Sequence, residues 1–340
     1  MIIPASKGIA RIPNLAHFLE GEGNCVVGWG RKPSGLKALE MAARRGLPCL
    51  LLEDGFLRSV GRNDPPLSLI MDDAGVYYDA SSPSRLEALS SKPMAPGDAE
   101  RAGSLIRAWQ EAGISKYNHA PDFAGPLPEP YVLVVDQTFG DTAIRYGQAD
   151  ERSFARMLEA ALDENPHCTV LVKVHPDIFT HGKAGYFDAK ELGHHPRVRI
   201  IAEECHAVRL IREAELIYTV TSQMGFEGLL WGKRVRCFGM PFYAGWGVTE
   251  DELKAPSRRG PVTVEQLVHG ALIKAPRYIN PETGEGWSVE QAIAFVAGRR
   301  QVLEAIWHRE GFSVSEPSLP RKILQRLPFG KGRKGASSVR

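Results

Sequence analysis

The feature that most constrains the fold is a repeated alternation of short apolar runs with helical patterns, in which polar residues directly follow each run. The segment CVVGWGRKPSGLKALEMAARRGLPCLLLEDG predicts a strand, a helix that ends at Gly46 and a second strand. Further apolar runs predict strands at residues 131–137, 169–176, 198–203, 215–220 and 235–240. Helical crossovers between strands are typical of parallel sheets with right-handed connections. We therefore predict an α/β protein with two Rossmann-like domains, each built on a parallel sheet.

The chain is long enough for two domains, because its 340 residues exceed the roughly 100–200 residues that one core usually organises. Its apolar share of 43% and charged share of 24% are those of a globular protein. Four prolines interrupt regular structure in residues 119–130, which places the linker there. The prediction is a domain over residues 1–125, a second over 126–312 and a basic, disordered tail over 313–340. Within these, residues 84–109 and 287–310 read as helices.

Charge and cysteine content exclude several classes. The formal charge of +2 is too small for a protein built around nucleic acid, and we expect no nucleic-acid partner. Residues 321–340 hold seven basic residues and no acid, which leaves a net charge of −5 for the rest. Five cysteines without a CxxC spacing fit neither a disulfide framework nor a zinc site. No signal peptide or membrane span is apparent, so we expect a soluble or peripheral protein in a reducing cytosol.

Ligands of open α/β sheets bind beyond the carboxyl ends of the strands, and polar residues follow five of the predicted strands. The first place, GWGRKPSG, lacks the Lys-Ser/Thr of a phosphate-binding Walker loop and has Pro33 where a dinucleotide fingerprint has its third glycine. On this motif alone we favour a tight strand-to-helix turn. In the second place, EDGFLRS, Glu53 and Asp54 are either an acid/base pair or part of an ordinary Asp-Gly turn.

Two further places contain groups that are suited to sugar or phosphate chemistry. In DQTFGD, Asp136 ends a strand, and Asp141 is either a helix cap or a carboxylate that attacks an anomeric carbon. In KVHP, His175 is held in extended backbone by Pro176, and Lys173 points to the same face, which favours an anion site over a packed histidine. His194, His195 and His206 are interpreted as surface loop residues.

The fifth place, TSQMGFEGLLWG, is the strongest of these signals. Thr221 or Ser222 caps a helix whose N-terminus can bind phosphate, and Gly225 would allow close approach. Glu227, one turn inside, would accept from a ribose hydroxyl or complement the helix dipole. The alternative is a well-capped helix that binds nothing.

Two Rossmann-like domains with a phosphate site in the second are typical of GT-B glycosyltransferases. The segments VVGWGRKPSG, EDGFLRSVG, LSLIMDDAGVYYDA, DQTFGD, KVHP, TSQMGFEGLLWGK and RYINPETGE together resemble the capsule polysaccharide β-Kdo transferase family of the KpsC type, over roughly residues 24–300. The resemblance implies transfer of Kdo from CMP-β-Kdo, with retention, onto a Kdo-terminated phosphatidylglycerol-linked acceptor. The family's familiar enzyme has two such modules, whereas this chain has room for one.

The resemblance also implies roles for residues. Asp141 would be the nucleophile, Glu53 or Asp54 the acid/base, and His175 would stabilise the departing CMP phosphate. The N-terminal domain would bind the acceptor and the C-terminal domain the CMP-sugar. The implied donor-binding residues are Lys173, Pro176, Thr221, Ser222, Gln223, Gly225 and Glu227, and the implied acceptor- or sugar-binding residues are Gly28, Trp29, Gly30, Lys32 and Arg58.

No cofactor and no metal are expected, because His175 and a helix dipole would carry the leaving-group charge. The implied location is the cytoplasm, peripheral on the inner face of the inner membrane, with capsule assembly proteins as further partners and the basic tail near anionic lipid. Two alternatives stay open. One is a catalytically silent CMP-sugar-binding module that partners another capsule transferase or exporter, and the other is an NAD-dependent sugar-nucleotide enzyme.

Overall fold

The computed structural model describes residues 1–61, 63–174, 185–187 and 192–310. His175, Pro176 and the basic tail therefore lie outside the described residues. Within them, no helix combines the length and apolar character needed to cross a bilayer. The α/β class is confirmed, because two six-stranded sheets carry helices between their strands.

The first part of the chain alternates strands with helices as predicted. In chain order, the elements are β1 (Ile2–Pro4), α1 (Lys7–Ala10), α2 (Leu15–Phe18), β2 (Cys25–Trp29), α3 (Pro33–Arg45), β3 (Cys49–Asp54), β4 (Ser68–Asp72), α4 (Arg85–Ser90) and α5 (Asp98–Ala112). The helical stretch predicted over residues 84–109 is thus two helices. Pro93 and Pro96 stand between them, where proline removes backbone donors and opposes helix continuation.

The second part contains the predicted five strands. Its elements are β5 (Tyr131–Val135), α6 (Thr142–Tyr146), α7 (Glu151–Glu164), β6 (Thr169–Lys173), β7 (Val198–Ile201), α8 (Ala207–Glu213), β8 (Leu216–Thr219), α9 (Gln223–Leu230), β9 (Arg234–Cys237), β10 (Glu250–Asp251), α10 (Val264–Val268), a π-helical turn (His269–Lys274), β11 (Pro276–Ile279), β12 (Gly286–Trp287) and α11 (Val289–Glu310). The late helix lies where the sequence placed it.

The first sheet has the order β1–β2–β3–β4–β11–β12 and is mixed. Strands β1, β2 and β3 are parallel, as expected, but β4 runs antiparallel to β3, β11 to β4 and β12 to β11. The expectation of a wholly parallel first sheet was therefore wrong. The segment 55–67 that joins β3 to β4 contains no helix, and a parallel return needs a crossover of a dozen or more residues, usually helical.

Strands β11 and β12 come from the region that the sequence assigned to the second domain, yet they pair with the first sheet. Helix α11 follows them and packs beside α5. The chain therefore returns to its first part after the second sheet is complete. The exact domain limits stay a prediction.

The second sheet has the order β10–β9–β8–β5–β6–β7, and all its strands are parallel. Its centre, β5, is buried on both faces, with Leu133 in one apolar cluster and Val134 in another. The strand order reverses between β5 and β8. In such sheets the crevice beyond this reversal is where ligands bind.

A buried ion pair joins α4 to the loop after the second sheet. The Arg259 side chain has no solvent exposure, and its Nε donates to Glu87 Oε1 at 2.6 Å. Arg258 Nε donates to the other oxygen of Glu87 at 2.7 Å. Arg259 Nη1 also donates to two backbone carbonyls, each at 2.8 Å. Removal of the carboxylate would leave a buried guanidinium uncompensated.

We expect Glu87→Gln to lower the free energy of unfolding by about 3 kcal/mol or more, as for other broken buried pairs. The matched control is Glu290→Gln, which breaks the exposed Arg101 pair and should cost less than about 1 kcal/mol. Urea denaturation followed by circular dichroism measures both values. Equal losses in the two variants would contradict a structural role for the Glu87 pair.

Candidate functional site

A cleft of about 1000 Å³ opens at the strand-order reversal of the second sheet. It is lined by residues that follow β2, β3, β5, β6 and β8, and by the loop after α5. The structure brings together most of the residues singled out in the sequence, namely Trp29, Lys32, Glu53, Asp54, Asp141, Lys173, Thr221, Ser222, Gln223 and Glu227. Gly28, Gly30, Arg58 and Gly225 do not line it.

Glu53 is the second-last residue of β3 and is half-buried in the cleft wall. Tyr78 Oη donates to Glu53 Oε1 at 3.1 Å and itself accepts from the Arg31 backbone N–H at 2.8 Å. Burial raises the pKa of Glu53 to about 7, against the opposing charges of Lys32 and Lys116. A carboxyl with this pKa can accept or donate a proton near neutral pH.

Asp54 has a different environment from its neighbour. Arg58 Nε lies 3.5 Å from Asp54 Oδ1, and the Arg58 guanidinium also donates to the backbone carbonyl of Asp64 at 2.7 Å. Arg58 therefore holds Asp54 and the loop beside it, and it does not reach the cleft. The two acids that the sequence could not separate thus differ, since only Asp54 is paired with a cation.

The glycines of GWGRKPSG allow neighbouring parts of the protein to pack closely against the backbone. A Cβ at Gly28 would lie 2.5 Å from the Ala38 Cβ on α3, and a Cβ at Gly30 would lie 1.9 Å from Glu53 Oε1. Gly30 also has φ of +38°, which disfavours other residues. This agrees with the tight-turn interpretation, and it places Gly30 directly behind the Glu53 carboxyl.

The loop between β5 and α6 presents two carboxylates. Asp136 is buried, and burial raises its pKa to about 6 even though the backbone N–H groups of Tyr186 and Gln137 bind it at 3.1 and 2.8 Å. Asp141 is exposed and caps α6, because its Oδ1 accepts from the Ala143 N–H at 3.0 Å. Its Oδ2 has only a long contact, 3.5 Å, with Gln137 Nε2. Asp141 therefore caps a helix and still presents one oxygen at the cleft.

Gln137 fixes this loop against the end of β8. Its Oε1 accepts from the Thr221 N–H at 2.9 Å, and its Nε2 donates to Thr221 Oγ1 at 3.0 Å. Both side chains are buried. The two strand ends that define the crevice are thus tied together by side-chain hydrogen bonds.

Lys173 lines the cleft, but its ammonium is occupied. Nζ donates to the backbone carbonyls of Val174 at 3.1 Å and Glu203 at 2.8 Å, and burial lowers the pKa of Lys173.

His206 was expected on the surface, and this was wrong. It is buried between Asp122 and Asn118, at 3.2 Å from each, and burial lowers its pKa to about 4.

Helix α9 begins at the cleft. Ser222 is its N-cap and accepts from the Met224 N–H at 3.3 Å. Gly225 packs instead of admitting a ligand, since a Cβ there would lie 2.2 Å from the Tyr243 hydroxyl oxygen. This contact could not be predicted from the sequence, because Tyr243 lies 18 residues further along the chain.

Glu227 is fully engaged inside the protein. Its carboxylate accepts from Ser115 Oγ at 2.7 Å, from the Lys116 N–H at 3.2 Å and from Gln223 Nε2 at 3.2 Å. Burial raises its pKa to about 7 in spite of these donors. Glu227 thus has a structural role, and its expected role toward a ribose or the helix dipole stays a prediction.

Sequence reasoning missed several segments of the cleft, among them the loop 115–120. Ser115, Lys116, Tyr117 and His119 all line the cavity, and His119 Nε2 lies 2.8 Å from Glu204 Oε1. No strand precedes this loop, so a search directly after strands passes over it. Within the described ranges, no three His, Cys, Asp or Glu side chains are grouped so as to hold a metal ion.

Because its folded-state pKa is about 7 against an ordinary 4.5, Glu227 should make the protein less stable as pH rises from about 4.5 to 7. Glu227→Gln removes this effect and keeps an oxygen for the Lys116 and Gln223 donors. Its stability relative to the parent should therefore rise with pH, by up to about 3 kcal/mol, and level off above pH 7. Denaturation between pH 5 and 8 checks this, with exposed Glu159→Gln as the control. A difference that does not change with pH would contradict the raised pKa.

Known proteins are similar to this chain over most of its length. The family described as "Capsule polysaccharide biosynthesis protein" matches residues 24–112 and 94–278. The capsule polysaccharide modification protein LipA of Neisseria meningitidis is 41% identical over 321 residues, which cover 86% of this chain and 45% of LipA. The lipopolysaccharide-processing protein LpsZ of Rhizobium meliloti is 33% identical over 270 residues, covering 76% of this chain and 61% of LpsZ. The chain thus spans about half the length of the LipA relatives it matches.

Two solved structures are similar over most of the chain. The β-Kdo 2,4 transferase of Thermosulfurimonas dismutans KpsC is 42% identical, with a TM-score of 0.81, over 87% of this chain and 98% of that one. The β-Kdo 2,7 transferase of the same KpsC is 28% identical, with a TM-score of 0.63, over 82% and 86%. The expected family is confirmed: this chain belongs to the capsule polysaccharide biosynthesis protein family and is of the KpsC type.

Proposed function

We propose that this protein is a retaining glycosyltransferase that moves Kdo from CMP-β-Kdo to a Kdo-terminated, lipid-linked acceptor in the synthesis of a capsule linker. The observation that carries the proposal is the pair of carboxyl groups in one cleft. Glu53, with a pKa near neutrality, comes from the first sheet, and exposed Asp141 comes from the second. The similarity to the KpsC β-Kdo transferases supports the sugar and the reaction.

In the first step, Asp141 Oδ2 attacks the anomeric carbon of Kdo while the bond to the CMP phosphate oxygen breaks. The Gln137 amide and the Ala143 N–H hold the Asp141 carboxylate, so that it is oriented before the donor arrives. The product is a glycosyl ester on Asp141 and free CMP. A carboxylate nucleophile suits the oxocarbenium-like transition state of such a sugar acid.

The charge that develops on CMP would be stabilised by the N-terminus of α9, which begins at Gln223 beside Thr221 and Ser222. His175 and Pro176, outside the described residues, are kept in the proposal as phosphate neighbours. Lys173, engaged with backbone carbonyls, would act by raising the local positive potential. This route assigns no step to a metal or a cofactor.

In the second step, Glu53 accepts the proton of the acceptor hydroxyl as that oxygen attacks the anomeric carbon, and Asp141 leaves. We assign this role to Glu53 in preference to Asp54, because Asp54 is paired with Arg58. Two inversions give net retention. Trp29 and Lys32 line the same side of the cleft and would contact the acceptor.

The first glycine loop does not suit an NAD-dependent enzyme, because the Glu53 carboxyl fills the space beside Gly30 that a pyrophosphate would need.

A catalytically silent module that binds CMP-sugars is the second candidate. It would bind CMP without transferring a sugar. The basic residues 321–340 and the lipid-linked acceptor motivate our proposal that the protein lies at the inner face of the inner membrane.

Replacing the nucleophile should stop transfer but leave the fold and the CMP site intact. Asn also caps helices well, so Asp141→Asn should unfold like the parent. We expect transfer to fall by at least about 1000-fold, with the Kd for CMP changed by less than about two-fold. Intact mass spectrometry with CMP-Kdo generated in situ should show a Kdo adduct on Asp141 of the parent, which an acceptor discharges.

Asp136→Asn is the comparison for this experiment, because Asp136 is the other carboxylate of the same loop. An adduct on Asp136, or parental turnover by Asp141→Asn, would remove Asp141 from the mechanism. CMP binding without adduct or product in the parent would favour the silent module.

If Glu53 is the base, kcat/KM for the acceptor should rise with pH and level off above about 7, where Glu53 is ionised. At pH 6 the value should be roughly a tenth of the plateau. Glu53→Gln should lower the high-pH value of kcat/KM by about 100-fold or more and should abolish its rise with pH. Asp54→Asn should keep this rise. If kcat/KM of Glu53→Gln still rises with pH, the titrating group is not Glu53.

A further inference from the structure

Two lysines in the cleft have no carboxylate partner. Lys32 is the N-cap residue of α3 and Lys116 lies on the 115–120 loop, and both line the cavity. Across residues 1–61, 63–174, 185–187 and 192–310, neither ammonium forms a salt bridge. Lys116 Nζ lies 5.8 Å from the centre of the Tyr117 ring, an aromatic contact that orients it without neutralising it.

The other cationic side chains of the cleft wall are already engaged. Lys173 donates to two backbone carbonyls, and His119 lies against Glu204. His206 is buried, and its pKa of about 4 keeps it neutral at physiological pH. In the described part of the cleft, the positive charge available to a ligand therefore comes from Lys32 and Lys116.

Both lysines lie near Glu53. Their charges are the two largest effects that lower the pKa of Glu53, although neither ammonium pairs with it and Tyr78 is its hydrogen-bonding partner. Lys32 follows β2, and Glu53 lies near the end of the adjacent parallel strand β3, whereas Lys116 is on the loop after α5. The two ammonium groups thus reach the region of one carboxyl from two different elements.

We propose that Lys32 and Lys116 bind the carboxylate of an acidic acceptor sugar beside Glu53, and so make the enzyme selective for acidic acceptors. This rests on the proposed function. Two ammonium groups without partners can each donate charge-assisted hydrogen bonds to a carboxylate. An acceptor held by its acid group would have a hydroxyl within reach of Glu53. Tyr117, whose side chain is 37% exposed, would pack against the sugar ring beside Lys116.

The experiment compares Lys32→Gln, Lys116→Gln and the double variant on two acceptors, a Kdo-terminated glycoside and its methyl ester. Lys37→Gln is the matched control, since Lys37 is an exposed lysine of the same helix α3 that does not line the cleft. Each cleft variant should raise the KM of the acid acceptor by about ten-fold or more, because one charge-assisted hydrogen bond is lost. The KM of the ester and that of CMP-Kdo should change by less than about two-fold.

Equal losses for acid and ester, or no loss for either, would overturn the proposal. A rise in the KM of CMP-Kdo alone would place the donor's carboxylate at the lysines and would overturn the acceptor assignment. Calorimetric titration of both acceptors into the parent and the variants separates this inference from the proposed function. Acid-selective binding that Lys116→Gln abolishes would support the lysine site even without transfer, whereas transfer without acid selectivity would refute the lysine site alone.

Discussion

A single buried carboxyl, Glu227, joins three segments that shape the cleft. Its oxygens accept from Ser115 and Lys116 of the loop after α5 and from Gln223 of α9, and Gln223 also donates to the Phe56 carbonyl after β3 at 2.8 Å. The first sheet, the connecting loop and the second sheet therefore meet at one group. Because a displacement of the walls would break these buried hydrogen bonds, the arrangement favours one relative placement of the cleft walls.

The same cleft holds carboxyl groups that burial makes hard to ionise. The pKa of Glu53 is about 7 and that of Asp136 about 6, and in both cases burial is the largest cause. Such groups lower stability at neutral pH, since the unfolded chain would ionise them more easily. Their concentration in one crevice, at the strand-order reversal, is typical of a functional site and not of a core selected for stability alone.

The sequence predicts those parts of the site that follow from strand geometry. The positions of Asp141, Thr221 and Glu53 follow from the rule that ligands bind beyond the carboxyl ends of parallel strands, and that rule needs only the positions of the strands. The direction of β4 and the return of β11 to the first sheet depend on pairing partners that are distant in sequence. The packing of Gly225 against Tyr243 and of Gly30 against Glu53 is hidden for the same reason. At both glycines, the space that a ligand could have used is occupied by a side chain of the protein.

The loop 115–120 shows why a connection between the two sheets can belong to the site. The backbone N–H of Lys116 binds Glu227, and so fixes the loop to the wall that begins with α9. Its side chain lines the cleft, and its charge lowers the pKa of Glu53 as well as that of Glu227. One residue is thus hydrogen-bonded to Glu227 through its backbone and acts on Glu53 through its charge. Any shift between the two walls would move the Lys116 ammonium relative to Glu53, so the proton affinity of the proposed base depends on how the walls are held together by Glu227.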